Sequence, residues 1–104
     1  MTVYANATMS SYFPDCVSET YQCEVRINDS TIVVSYRSED GSATIYKGTE
    51  TGAGHYKLTM EVNGQIKGRA TLHRLSADDD LLEGSWYEDG DRGMWQIDLN
   101  ADDD

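Results

Sequence analysis

From residue 20 onward, apolar and polar side chains alternate with a period of two. This rhythm constrains the chain more than any other feature, because it places successive side chains on opposite faces of a sheet. Tyr21, Cys23, Val25 and Ile27 alternate with Thr20, Gln22, Glu24 and Arg26. Asn28-Asp29-Ser30 supplies turn chemistry, and a second run through Tyr36 completes a predicted hairpin. Ser38 to Gly41 reads as the next turn, Ala43 to Lys47 as a strand, and the glycine-bearing Thr49 to Gly54 as a loop.

Asn63-Gly64 is the strongest local signal, since the tightest hairpin turn needs positive φ at two successive residues. It separates Tyr56-Leu58-Met60-Val62 from Ile66-Gly68-Ala70-Leu72, and the two strands are expected to share one apolar and one polar side. The polar side would carry His55, Lys57, Thr59 and Glu61 beside Lys67, Arg69, Thr71 and His73. Counting outward from the turn puts His55 near-opposite Leu72, with His73 adjacent. Ser76 to Asp80 reads as a polar loop, Leu81 to Tyr87 as a strand, Asp89-Gly90-Asp91 as a turn and Gly93 to Leu99 as the last strand. Residues 1–19 are poorly defined: the alternation Val3, Ala5, Ala7, Met9 suggests an edge strand, and Pro14 stops regular structure nearby. Residues 101–104 form an acidic tail expected to fray.

The predicted fold is therefore all-β: an antiparallel meander of about seven to eight strands in one domain. No amphipathic helix is available to cover an open sheet, so a closed or nearly closed barrel is expected, with a β-sandwich as the alternative. Gly68 and Gly84 lie inside strands, where a missing side chain permits a bend or a close backbone approach.

Charge narrows the partners. Nineteen acidic residues face eight basic ones, for a formal net charge of -11. Attraction to nucleic-acid polymers or anionic membranes is disfavoured, whereas a solvated surface, a high-salt habitat or a basic protein partner each fits. The apolar run Thr31 to Val34 is far too short to span a bilayer, and the expectation is a cytoplasmic protein. Cys16 and Cys23 match no redox or zinc spacing and are expected as reduced, structural thiols.

The sequence nominates no catalytic residue, metal ligand or cofactor. Asp78-Asp79-Asp80-Glu83 and Glu88-Asp89-Asp91 lack the calcium-loop pattern with its terminal glutamate. His55 and His73 lack the third ligand that zinc needs. The aromatics are more informative: Trp86 and Trp95 lie on consecutive strands, and tyrosines, Tyr56 among them, are spread over nearly every other one. They either plug the barrel or line an interior pocket with polar handles, which makes a noncatalytic module for a small apolar or amphipathic ligand, or for a protein, the leading expectation. A small barrel enzyme is the rival.

Leu82-Glu83-Gly84-Ser85-Trp86, followed by Arg92 and Gly93-Met94-Trp95, resembles the Gly-x-Trp signature and nearby cation of calycin-type barrels such as lipocalins, fatty-acid-binding proteins and avidins. In those families the motif lies on the first strand and here on the penultimate one, so the resemblance implies a barrel in which Trp86 packs the core. Tyr46 through Leu99, with Gly68-Arg69-Ala70-Thr71-Leu72, also resembles the cyclic-nucleotide-sensing barrel of bacterial anti-phage effectors. That resemblance implies a cyclic dinucleotide ligand with Arg69, Arg74 or Arg92 as phosphate contacts. Tyr21-x-Cys23 and Val34-Ser35-Tyr36 are similar to the small periplasmic lysozyme-inhibitor barrel, which implies an acidic inhibitor of a basic enzyme, although its Ser-Gly-x-Tyr loop is not in this sequence.

Overall fold

Eight antiparallel strands run in chain order around a closed barrel. They are β1 (Thr2–Tyr12), β2 (Glu19–Asn28), β3 (Thr31–Arg37), β4 (Ala43–Gly52), β5 (His55–Val62), β6 (Gln65–His73), β7 (Leu81–Glu88) and β8 (Asp91–Asp98). The computed structural model describes residues 2–12, 19–37, 41–74, 76, 79–88 and 90–99. Pro14, Cys16, most of the Ser38 to Gly41 turn, Asp78, Asp89 and the acidic tail lie outside the described residues. Among the described residues there is no helix, and so none long and apolar enough to cross a membrane.

Closure corrects the expectation for the N-terminal segment. β1 is no edge strand: it pairs with β2 from Thr2↔Ile27 to Ser11↔Glu19 and with β8 from Thr8↔Asp98 to Tyr12↔Met94. A bulge between Tyr4 and Ala7 shifts its register by one residue. The buried positions are accordingly Ala7, Met9 and Ser11, while Val3 is 49% exposed. With both edges of the meander paired to each other, the unpaired backbone that would invite aggregation is gone, and the sandwich alternative falls away.

β4 is the second correction. It continues to Gly52, through most of the segment expected to be a loop, because β5 pairs with it from Lys47↔Thr59 to Glu50↔Tyr56. Only Ala53 and Gly54 make the turn.

The β5–β6 hairpin carries the third. Asn63 and Gly64 both have positive φ (54° and 82°), as a two-residue turn of this type requires. Such a turn pairs Val62 with Gln65 and Glu61 with Ile66. Continued outward, that register would put Tyr56 opposite Thr71 and send the two apolar rows to opposite faces. A bulge at Lys67 corrects the parity, and beyond it Met60 faces Gly68, Leu58 faces Ala70, Tyr56 faces Leu72 and His55 faces His73. Val62 and Ile66, on the turn side of the bulge, stay 47% and 48% exposed.

The core occupies the barrel axis. Val25, Ile32, Val34, Tyr46, Leu72, Leu82 and Ile97 are fully buried there with Met9, Leu58 and Trp95. Tyr46 packs edge-on against Trp95, with ring centroids 5.3 Å apart. Its hydroxyl donates a short hydrogen bond to Glu88 Oε2, which meets the need of a buried phenol for a polar partner. A Cβ on Gly68 would lie 2.5 Å from that hydroxyl, so glycine makes the room.

Candidate functional site

The outer face of β5 to β8 holds an open groove of about 760 Å³, within the range of small-molecule sites. Strand alternation dictates its lining. Where Leu58, Ala70 and Trp86 turn inward, their neighbours Lys57, Thr59, Arg69, Thr71, Ser85 and Tyr87 turn outward. Gly93 faces Trp86 across β7 and β8, which leaves Arg92 and Met94 on the outside. Register then assembles the side chains in rows. Thr59, Arg69, Tyr87 and Arg92 are successive cross-strand partners, and so are Lys57 with Thr71 and Ser85 with Met94.

Tyr87 therefore stands between two arginines, each on a neighbouring strand about 4.8 Å away. It is 53% exposed and Met94 is 55% exposed, so the groove offers apolar surface as well as charge. Three of the chain's eight basic residues line it and no carboxylate does, in a sequence with more than twice as many acids as bases. Neither Lys57, Arg69 nor Arg92 forms an ion pair or side-chain hydrogen bond among the described residues. Thr71 and Ser85 hydroxyls, 3.2 Å apart, add polar groups to the wall.

The groove's shape depends on an irregularity beneath it. The β6–β7 ladder skips from Ala70↔Trp86 to His73↔Glu83. In the gap, Ser85 N–H donates to Thr71 Oγ1 at 3.2 Å, and the Thr71 carbonyl accepts a 2.9 Å bond from Trp95 Nε1. Only glycine allows this, since a Cβ on Gly84 would lie 1.8 Å from that carbonyl oxygen. Trp86 Nε1 donates to the Met94 carbonyl at 3.3 Å, which ties the core tryptophan to the groove strand.

No family model matches the chain, and neither does any curated protein.

The residues singled out in the sequence divide between places. Arg69, Arg92 and Trp86 meet at the groove. Trp95 lies in the core, 2% exposed, against Tyr46. Tyr56 lies at one end of the barrel in a smaller recess with Glu50 and Arg74. Burial, and then the nearby Glu50 charge, push its phenol above the ordinary range. Arg74 is held there, donating from Nε to the Asp79 carbonyl at 2.7 Å and from Nη2 to Tyr4 Oη at 3.4 Å. It does not join Arg69 and Arg92.

Sequence reasoning missed Lys57, Tyr87 and Met94. A signal was present: the residues two positions from each groove cation, which share its face in a regular strand, are His55 and Thr59, Lys67 and Thr71, Gly90 and Met94, none of them acidic.

At the opposite side of the barrel, Cys23 is a free, buried thiol whose pKa burial pushes up to about 12. It is suited to packing rather than nucleophilic chemistry. Among the described residues, no three His, Cys, Asp or Glu side chains converge as a metal centre.

Proposed function

We propose that this chain is a noncatalytic binding module whose β5–β8 groove takes a small amphipathic anion. One observation carries the reading: the groove reverses the sign of the protein's charge, with Lys57, Arg69 and Arg92 set around exposed Tyr87 and Met94 and no acid among them. Arginines flanking an aromatic ring suit a carboxylate, sulfate or phosphate attached to an apolar or planar body.

The global charge favours a small ligand over a polymer. At physiological ionic strength fields fade within about 8 Å, so a small anion in the groove meets mainly its three cations. A polyanion running beyond the groove would meet the acidic remainder of the surface. A cyclic nucleotide, the ligand implied by one of the resemblances, falls within this class, with Arg69 and Arg92 as its phosphate contacts. The calycin-type resemblance is compatible with the same role of small-molecule binder, although the groove proposed here is on the outside of the barrel.

Dodecanoate, dodecyltrimethylammonium and a cyclic dinucleotide, titrated below micelle-forming concentrations, separate the possibilities. Calorimetry should show one-to-one binding of dodecanoate and none of the cationic amphiphile with the same tail, and the dinucleotide arm decides whether a planar base is preferred to a chain. Charge-assisted hydrogen bonds are each worth about 1.5–3 kcal/mol, so Arg69→Gln with Arg92→Gln should weaken binding about a hundredfold or more. Equal affinity for both amphiphiles, no binding of any anion, or undiminished binding in the double variant would refute the proposal.

A further inference from the structure

His55 opens β5 and His73 closes β6, and the bulge at Lys67 brings them directly opposite each other on the outer face. Their Nδ1 atoms are 2.7 Å apart, the ring centroids are 4.9 Å apart and the planes are inclined by 71°. Both side chains are exposed. Glu83 continues the row as the partner of His73 on β7, and its Oε2 accepts from Gln96 Nε2 at 3.2 Å.

We propose that His55 and His73 form a bidentate surface site for a late first-row divalent cation: Cu²⁺, Ni²⁺ or Zn²⁺. Imidazole nitrogen is a preferred ligand for these ions, whereas Mg²⁺ and Ca²⁺ take oxygen. In the neutral pair one Nδ1 carries the shared hydrogen and the other accepts it. Binding needs both Nδ1 lone pairs, so that hydrogen moves to Nε2 of the same ring and no net proton is lost. With metal–nitrogen distances of about 2.0–2.1 Å, two ligands at tetrahedral or right angles lie about 2.8–3.4 Å apart. The present separation is only slightly shorter, and exposed rings have the freedom to open it.

Strand pairing fixes the two backbones in register before any metal arrives, so little ordering cost falls on binding. Glu83 adds negative charge beside the pair. Since no third His, Cys, Asp or Glu converges there among the described residues, water fills the remaining positions and the site is open to exchange.

The test is a titration of the full chain with Cu²⁺, Ni²⁺ and Zn²⁺ in excess Mg²⁺, which occupies adventitious carboxylate sites. Calorimetry should give one equivalent, tightest for Cu²⁺. Proton NMR of the Zn²⁺ complex should show both histidine rings shifting together. The thermal midpoint should rise with added metal, because the two ligands are 18 residues apart in sequence and meet only in the folded chain. His55→Asn or His73→Asn, at exposed positions where the fold tolerates change, should weaken binding at least about tenfold, and Glu83→Gln should weaken it less. No binding at millimolar metal, or undiminished affinity in either histidine variant, would overturn the site. Loss of dodecanoate binding at the groove would leave these results unchanged, since the two sites share no residue.

Discussion

The outer faces of the two halves of this barrel use their arginines in opposite ways. On β1 to β4, Arg26 Nε donates to Glu24 at 2.7 Å, and Arg37 Nη1 donates to the Gly41 carbonyl at 2.9 Å. On β5 to β8, Arg69 and Arg92 have no such partner among the described residues and flank Tyr87. Arg26 is neutralised locally, because Glu24 and Arg26 are two apart and share a face, while Arg37 is held by a backbone carbonyl. Among the described residues, the second pair has no acid as a direct cross-strand partner or two positions along its own strand. A basic side chain in a sequence is thus weak evidence of a binding site until its neighbours on the same face are known.

The halves also differ in what holds them. Gly84 lets β7 approach the Thr71 carbonyl closely enough for that carbonyl to leave the ladder and accept from Trp95. Gly84→Ala places a methyl group 1.8 Å from the oxygen and must displace it, breaking the tryptophan's bond and the floor of the groove together. The expected destabilisation is about 3 kcal/mol, the upper end for overpacking, read from the urea midpoint. A change below about 0.5 kcal/mol would mean that the second half does not depend on this close approach.

Among the described residues, the first half holds most of the groups that resist ionisation. Burial raises the Cys23 thiol from 9.0 to about 12. Tyr36 and Tyr46 are raised chiefly by burial, with Glu88 adding its charge to the first and its hydrogen bond to the second. Tyr56 is their only raised counterpart among the described residues of the second half. In each case the unfolded chain releases its proton at lower pH than the folded one. Stability is therefore fully present below pH 9.0, the ordinary value of the thiol, and falls as pH rises toward 12, with the tyrosines contributing above about pH 10. The urea midpoint should be flat from pH 7 to 8 and then decline, and Cys23→Ala should remove the part of the decline that begins lowest. A midpoint independent of pH up to 11 would show that these groups are more hydrated than their positions imply.

The sequence pattern made the barrel legible because each buried row had to face one way, and Val25, Val34, Leu58, Leu72 and Ile97 all lie where alternation puts them. What it hid were the bulges, two of which reset a buried row. The run Val3 to Met9 looks like one unbroken alternation, yet the extra residue between Tyr4 and Ala7 turns Val3 outward and Ala7 inward. At Lys67, parity was the clue: a two-residue turn cannot bring Leu58 and Ala70 to one face without an insertion, and only that insertion sets His55 against His73. The groove was half legible. Arg69 and Arg92 stood out as cations, but Lys57, Tyr87 and Met94 join them through pairings across four strands, which local pattern does not encode.

The smallest effect tests the comparison most directly. Arg26 and Glu24 make the sole ion pair among the described residues, with side chains 53% and 33% exposed. Water and salt screen such a pair, so Arg26→Ala should cost no more than about 1 kcal/mol and less at high ionic strength. Arg69→Gln should cost even less, having no ion-pair partner among the described residues, while dodecanoate affinity falls. Stability and affinity should therefore separate: Arg26 should affect only stability and Arg69 only binding. If Arg26→Ala weakened the anion as much as Arg69→Gln does, the protein's overall charge rather than the groove would govern binding, because either change removes one positive charge.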